Sequence, residues 1–231
     1  MNEMALRWLS PLILSLLPAL PGAHSIVHDL EMRYQHAKTL KATFFESYSE
    51  GGGHRIAESG TVYFSRPGRM RWNYESPQTK LFLVDGTNAW FYVPADHTAS
   101  RAKVKDSSDW RTPIALLAGK ANLNELCRQV QVIDPATATT PDEKPLAIGD
   151  YVLRCDPRGD SQDSGLQSVF LEVNPEDYLV RVLIHEAGDV VTEFRFGNWE
   201  EDIPIAESQF HFQPPPGVSI VDEGELSNEV H

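Results

Sequence analysis

The stretch Ser65-Arg66-Pro67-Gly68-Arg69-Met70-Arg71-Trp72 decides the fold, because its Pro-Gly pair breaks two extended runs as a hairpin turn does. Working outward, Phe44 to Tyr48, Glu58 to Ser65, Met70 to Tyr74, Lys80 to Val84 and Asn88 to Val93 are short runs rich in Thr, Val, Tyr, Phe and Trp. Gly51-Gly52-Gly53, Pro67-Gly68, Ser76-Pro77 and Asp85-Gly86 separate them, so the segment reads as an antiparallel meander. Period-2 alternation sends Arg69 and Arg71 to solvent and Met70 and Trp72 to the core. Arg66 precedes proline in an extended conformation, from which a guanidinium reaches the carbonyls of a neighbouring helix end. Leu81-Phe82-Leu83-Val84 and Ala89-Trp90-Phe91-Tyr92-Val93 are apolar at consecutive positions, so both faces of the sheet need cover there.

Before the meander, Val27, Leu30, Tyr34, Ala37 and Leu40 recur at helical spacing, predicting an amphipathic helix over 28–40. After it, Thr112 suits a cap, Pro113 a first helical position and Gly119 an end, predicting a short apolar helix, with a further turn from Asn122 to Cys127. Strands are expected again at Gln129 to Ile133, Tyr151 to Cys155, Leu166 to Val173, Leu179 to Glu186, Val190 to Trp199 and Gln209 to Phe212. Between them, Asp134 to Pro145 carries three prolines and no apolar period, the pattern of an exposed loop. The expected fold is mainly β with a few helices: one long, curved antiparallel sheet partly covered by short helices.

Residues 1–25 hold an apolar run after Arg7 that is interrupted by Pro11 and Pro18 and followed by small residues around Ala23-His24-Ser25, which reads as a cleaved secretory leader. One domain is expected over 26–221 and an acidic mobile tail over 222–231. The formal net charge of −13 argues against nucleic acid and against adhesion to anionic lipid surfaces. Cys127 and Cys155 are the only cysteines, and export permits a disulfide between them, with two unpaired thiols as the alternative.

No Gly-x-Ser-x-Gly or Cys-x-x-Cys occurs, and Gly51-Gly52-Gly53-His54 lacks the Lys-Ser/Thr of a phosphate loop. No catalytic residue, metal or cofactor is therefore assigned. Paired carboxylates remain an open route to hydrolysis, with Glu58, Asp85 and Glu193 the first to check.

The run from Ser59 through Trp72, then Pro77, then Leu83-Val84-Asp85-Gly86-Thr87-Asn88-Ala89-Trp90-Phe91-Tyr92-Val93-Pro94 resembles the LolA family, periplasmic carriers of outer-membrane lipoproteins. The likeness continues through Thr112 to Leu117 and closes on Phe210-His211-Phe212-Gln213-Pro214-Pro215-Pro216-Gly217-Val218. It implies an incomplete β-barrel closed by helices over an apolar pocket for acyl chains. It implies that Arg66 latches a lid helix comprising Pro113, Ile114, Leu116, Leu117 and Ala118, and that Trp72, Leu83, Trp90 and Tyr92, with Phe82 and Phe91, line the pocket. Met70 replaces a residue usually aromatic in the family, at a position linked to docking on the transporter. The implied partners are acylated lipoproteins, an inner-membrane lipoprotein-releasing ABC transporter and an outer-membrane receptor or acceptor membrane, served by a monomer without a cofactor. Related half-barrels imply two alternatives, a carrier of another lipid or glycolipid and a lipoprotein-sensing stress regulator.

Overall fold

A computed structural model describes residues 22–51, 53–104, 122–158 and 165–225. Helix α1 (Ala23–His36) buries Ile26, Val27, Leu30 and Tyr34, a spacing that lays one apolar stripe on the sheet. Each such side chain contributes about 1.5–3 kcal/mol when fully buried. Its far end is held by polar contacts as well. The Tyr34 hydroxyl accepts from Leu179 N at 2.9 Å, and Arg33 pairs with Glu201 at 2.7 Å while lying over the Tyr178 ring.

The chain then runs through β1 (Thr39–Glu50), β2 (His54–Ser65), β3 (Arg69–Ser76), β4 (Lys80–Val84), β5 (Asn88–Val93) and β6 (Thr98–Lys103). A one-turn helix α2 (Leu123–Leu126) leads into β7 (Cys127–Ile133), β8 (Tyr151–Pro157), β9 (Leu166–Val173), β10 (Leu179–Glu186) and β11 (Val190–Glu201), and β12 (Ser219–Glu225) follows. All belong to one sheet, in the order β12-β6-β5-β4-β3-β2-β1-β11-β10-β9-β8-β7. Two meanders are thus joined where β1 pairs with β11.

Turn chemistry follows from side chains. Asp85 accepts the backbone N–H groups of Thr87 and Asn88 and the indole N–H of Trp90, which closes the β4–β5 hairpin. Asn174 accepts from Glu176 N and Tyr178 N between β9 and β10. At Gly60 a Cβ would lie 1.9 Å from the Asn73 carbonyl oxygen, and the β2–β3 register shifts beside it. Such a bulge at a glycine bends a strand and curves the sheet.

Several elements differ from the sequence expectation. The first helix ends at His36, and Leu40 belongs to β1: its helical spacing from Leu30 coincides with a strand position on the same face. Gln209 to Phe212 is no strand; a 3-10 turn spans Glu207–Phe210 and the chain crosses the sheet as a strap. Strands β6 and β12, made of Ala, Ser, Lys, Asp and Glu as much as of β-formers, carry no aromatic signal, yet they pair in parallel, with Arg101 bonded to Asp222 at 2.7 Å. The sheet is therefore antiparallel with one parallel edge, and β12 reaches Glu225 within the segment read as a mobile tail. The loop after β7 is anchored through Glu143, which is buried and accepts from Thr139 N and its hydroxyl. Cys127 and Cys155 are joined by a disulfide across β7 and β8.

Candidate functional site

Register sorts the side chains onto two faces. On the inner face, beneath α1, Phe44 of β1 stands opposite Phe196 of β11, and Val62 of β2 opposite Trp72 of β3. Trp72 is the hub. Its ring meets Phe44 at 4.8 Å, Phe194 at 5.8 Å, Phe196 at 6.1 Å and Phe64 at 6.2 Å between centroids, each edge to face. Its indole N–H is buried with no hydrogen-bond partner among the described residues. A buried tryptophan N–H normally finds a partner, so this one carries a desolvation cost.

Arg66 stands at the end of the trough, in the turn between β2 and β3. Its Nε donates to the carbonyl of Ala37, the residue that ends α1, at 3.1 Å, and its backbone N donates to Lys38 O at 3.0 Å. Both terminal guanidinium nitrogens are buried with no hydrogen-bond partner among the described residues. Burial away from water lowers the pKa of this guanidinium, the direction expected of a cation held in an apolar site.

Further along the inner face the trough becomes polar. Glu46 pairs in register with Glu58, and Tyr74 with Lys80. The Tyr74 hydroxyl donates to Glu46 at 2.9 Å, and Lys80 forms an ion pair with Glu58. Burial pushes the Glu46 carboxyl up to about 7, with the charge of Glu58 adding to it, although the Tyr74 hydrogen bond and Lys80 act the other way. Sequence reading missed this set. The four residues come from four strands, and only their register brings them together.

The six residues expected to line one pocket do not share a face. Trp72, Phe82 and Phe91 are cross-strand neighbours on the inner face. Leu83 pairs with Trp90 and Leu81 with Tyr92, and these point outward, where Trp90 and Tyr92 meet Phe212 at 5.2 Å and 5.3 Å. The physical reason is the pleat: neighbouring residues of a strand point to opposite sides. Met70 lies half-buried on the inner face between Phe64 and Val84. Pro113, Ile114, Leu116, Leu117 and Ala118 lie outside the described residues. Glu58, Asp85 and Glu193 are dispersed: Glu58 pairs with Lys80 inside, Asp85 caps a hairpin and Glu193 pairs with Arg195 at 2.9 Å outside.

The family described as outer membrane lipoprotein carrier protein LolA matches residues 35–213, from the end of α1 through the strap. The chain belongs to the LolA family. A relative from Nitrosomonas europaea, named outer-membrane lipoprotein carrier protein, is 30% identical over 220 residues, covering 93% of this chain and 98% of its own. Another of that name, from Nitrosospira multiformis, is 26% identical over 200 residues, covering 85% and 88%. The crystal structure of an uncharacterized conserved protein from Thermus thermophilus shares the fold, with a TM-score of 0.54 over 87% of this chain and 99% of that one, at 11% identity. The LolA match spans the inner face from Phe44 to Phe196 and includes Arg66 and Trp72.

Proposed function

We propose that this chain is a periplasmic carrier that holds the acyl chains of lipoproteins on its inner face and passes them from an inner-membrane ABC transporter to an outer-membrane acceptor. The observation that carries the reading is the buried guanidinium of Arg66, tied by one bond to the end of α1 and left, among the described residues, with two unpartnered nitrogens at the end of an aromatic trough. A cation so placed is costly, which suits a contact made to be broken. Releasing the Ala37 bond frees the end of α1 and opens the Trp72 cluster to an acyl chain.

Transfer by this route needs no covalent step and no nucleotide on the carrier. Each methylene buried against the trough contributes roughly 0.8 kcal/mol, so a donor and an acceptor differing in burial set the direction of travel. Met70, half-buried at the rim between Phe64 and Val84, is proposed as a contact for the transporter.

Arg66→Leu is expected to load lipoprotein and to release it to an acceptor at least about tenfold more slowly, because leucine cannot remake the hydrogen bond to Ala37 O that favours the closed, empty form. Normal handover by that variant in a release assay sinks the latch. Mass spectrometry of material extracted from the purified chain tests the cargo: acylated lipoprotein supports the reading, and free lipid or glycolipid alone overturns it.

A further inference from the structure

A cavity of about 780 Å³ lies on the other side of the sheet, between the outer face of β3 to β5 and the strap that follows β11. Leu81, Tyr92, Phe212 and Pro215 supply its apolar walls. Arg71 lines it as well. Its Nε donates to the Asn73 side chain at 2.8 Å and one terminal nitrogen donates to Gln209 O at 3.0 Å, so the guanidinium is held rigidly in place. It is half-buried, and that burial lowers its pKa.

What distinguishes Arg71 is the partner it lacks. On the same face Arg69 pairs with Glu207 at 2.9 Å and Arg101 with Asp222 at 2.6 Å, whereas no carboxylate within salt-bridge distance meets Arg71 among the described residues. In a chain with 33 acidic and 20 basic residues, a positioned, half-buried guanidinium without a counter-ion is a departure from the surrounding charge. The other charged groups at the cavity are Lys80, already paired with Glu58, and Glu75, which accepts from the Thr61 hydroxyl; His211 adds an imidazole to the wall. Because the Lys80 ammonium turns to the inner face and Glu58, the charged side chains left to the outer cavity are Arg71 and Glu75, and these two are not within salt-bridge distance of each other. The volume lies within the range of roughly 300–1,000 Å³ usual for small-molecule sites.

We propose that this outer cavity is a second binding site, separate from the inner trough, for a compact anionic amphiphile whose carboxylate or phosphate head bonds Arg71 while its apolar body lies on Leu81, Tyr92 and Phe212. The head completes the counter-charge that the fold omits, and a guanidinium already fixed by Asn73 and Gln209 loses little freedom on binding. The strands β4 and β5 carry both sites back to back, Phe82 and Phe91 inward and Leu81 and Tyr92 outward.

The test uses the whole chain with octanoate and octyl phosphate, set against octylamine and octyl glucoside, followed by calorimetry and by resonance shifts of labelled Phe and Tyr. Expected are binding of both anions at least about tenfold tighter than octylamine or the glucoside, and shifts at Tyr92 and Phe212. Arg71→Gln is expected to remove that preference, and Arg71→Lys to retain part of it, with an unchanged melting temperature certifying that both are folded. Equal binding of charged and neutral probes, or shifts confined to Phe82 and Phe91, overturns the site. Lipoprotein loading measured on Arg71→Gln is expected to be unchanged, so failure of the outer site and failure of the carrier reading give different results.

Discussion

Two arginines on the same outer face, Arg181 on β10 and Arg71 on β3, live under opposite conditions. Arg181 is 5% exposed and enclosed by charge: Glu172 at 2.8 Å, Glu193 at 3.8 Å, and the carbonyl of Lys144 from the loop after β7. That loop is drawn down further where Leu146 N donates to Glu172. Arg71 lies beneath the strap with, among the described residues, neutral partners only and a cavity in front of it. Burying a charge is tolerable when its counter-ion is buried with it, so the first region is a seal. The second keeps a fixed cation and leaves the counter-ion to come from outside.

The comparison is broken most severely by Arg181→Met, which strands Glu172 and Glu193 in the interior; a loss of about 3–5 kcal/mol in urea unfolding is expected. Adding Glu172→Met should recover much of it, because an apolar pair replaces the ion pair. Recovery absent, the seal depends on shape and not on charge.

A smaller effect sharpens the same region. Asp150 and Glu172 share a hydrogen bond, and burial raises the pKa of both from their ordinary values, each further raised by a neighbouring acid, although Arg181 and the Leu146 N–H act the other way on Glu172. The folded state therefore keeps a proton that the unfolded chain gives up, so stability falls as pH rises from the ordinary values through the raised ones. Faster amide exchange at 146–150 at pH 8 than at pH 4, beyond the intrinsic chemical dependence, is expected, and Asp150→Asn should flatten it.

The least disturbance is expected of Arg71→Gln, which should alter stability by less than about 1 kcal/mol, since it removes neutral hydrogen bonds at a half-buried site and breaks no ion pair. A loss as large as that of Arg181→Met would make Arg71 a structural residue and erase the contrast.

Much of the architecture was legible in turn dipeptides and aromatic alternation: β4, β5, β9 and β10 begin and end where Lys80, Val84, Asn88, Val93, Leu166, Val173, Leu179 and Glu186 said they would. Strands β6 and β12 were not legible, because the buried positions of β6 are the small residues Ala99 and Ala102 and a polar terminal strand has no pattern of its own. Phe210 and Phe212 alternate like a strand, yet they anchor a strap, Phe210 buried beneath Arg69 and Phe212 against Trp90. Local alternation records which side chains are buried and not what buries them.

By itself the sequence determined a turn-punctuated sheet, an amphipathic helix before it, and Arg66 next to proline at a strand end, all consequences of periodicity and backbone chemistry within a few residues. Tertiary structure alone decided that Trp72 and Trp90 face opposite ways, that Glu46, Glu58, Tyr74 and Lys80 meet, and that Arg71 is left without a carboxylate. Those outcomes depend on strand register and on segments more than a hundred positions apart, as Arg71 and Gln209 are. A one-residue slip in register would exchange the faces, and no local pattern encodes which partner strand sets it.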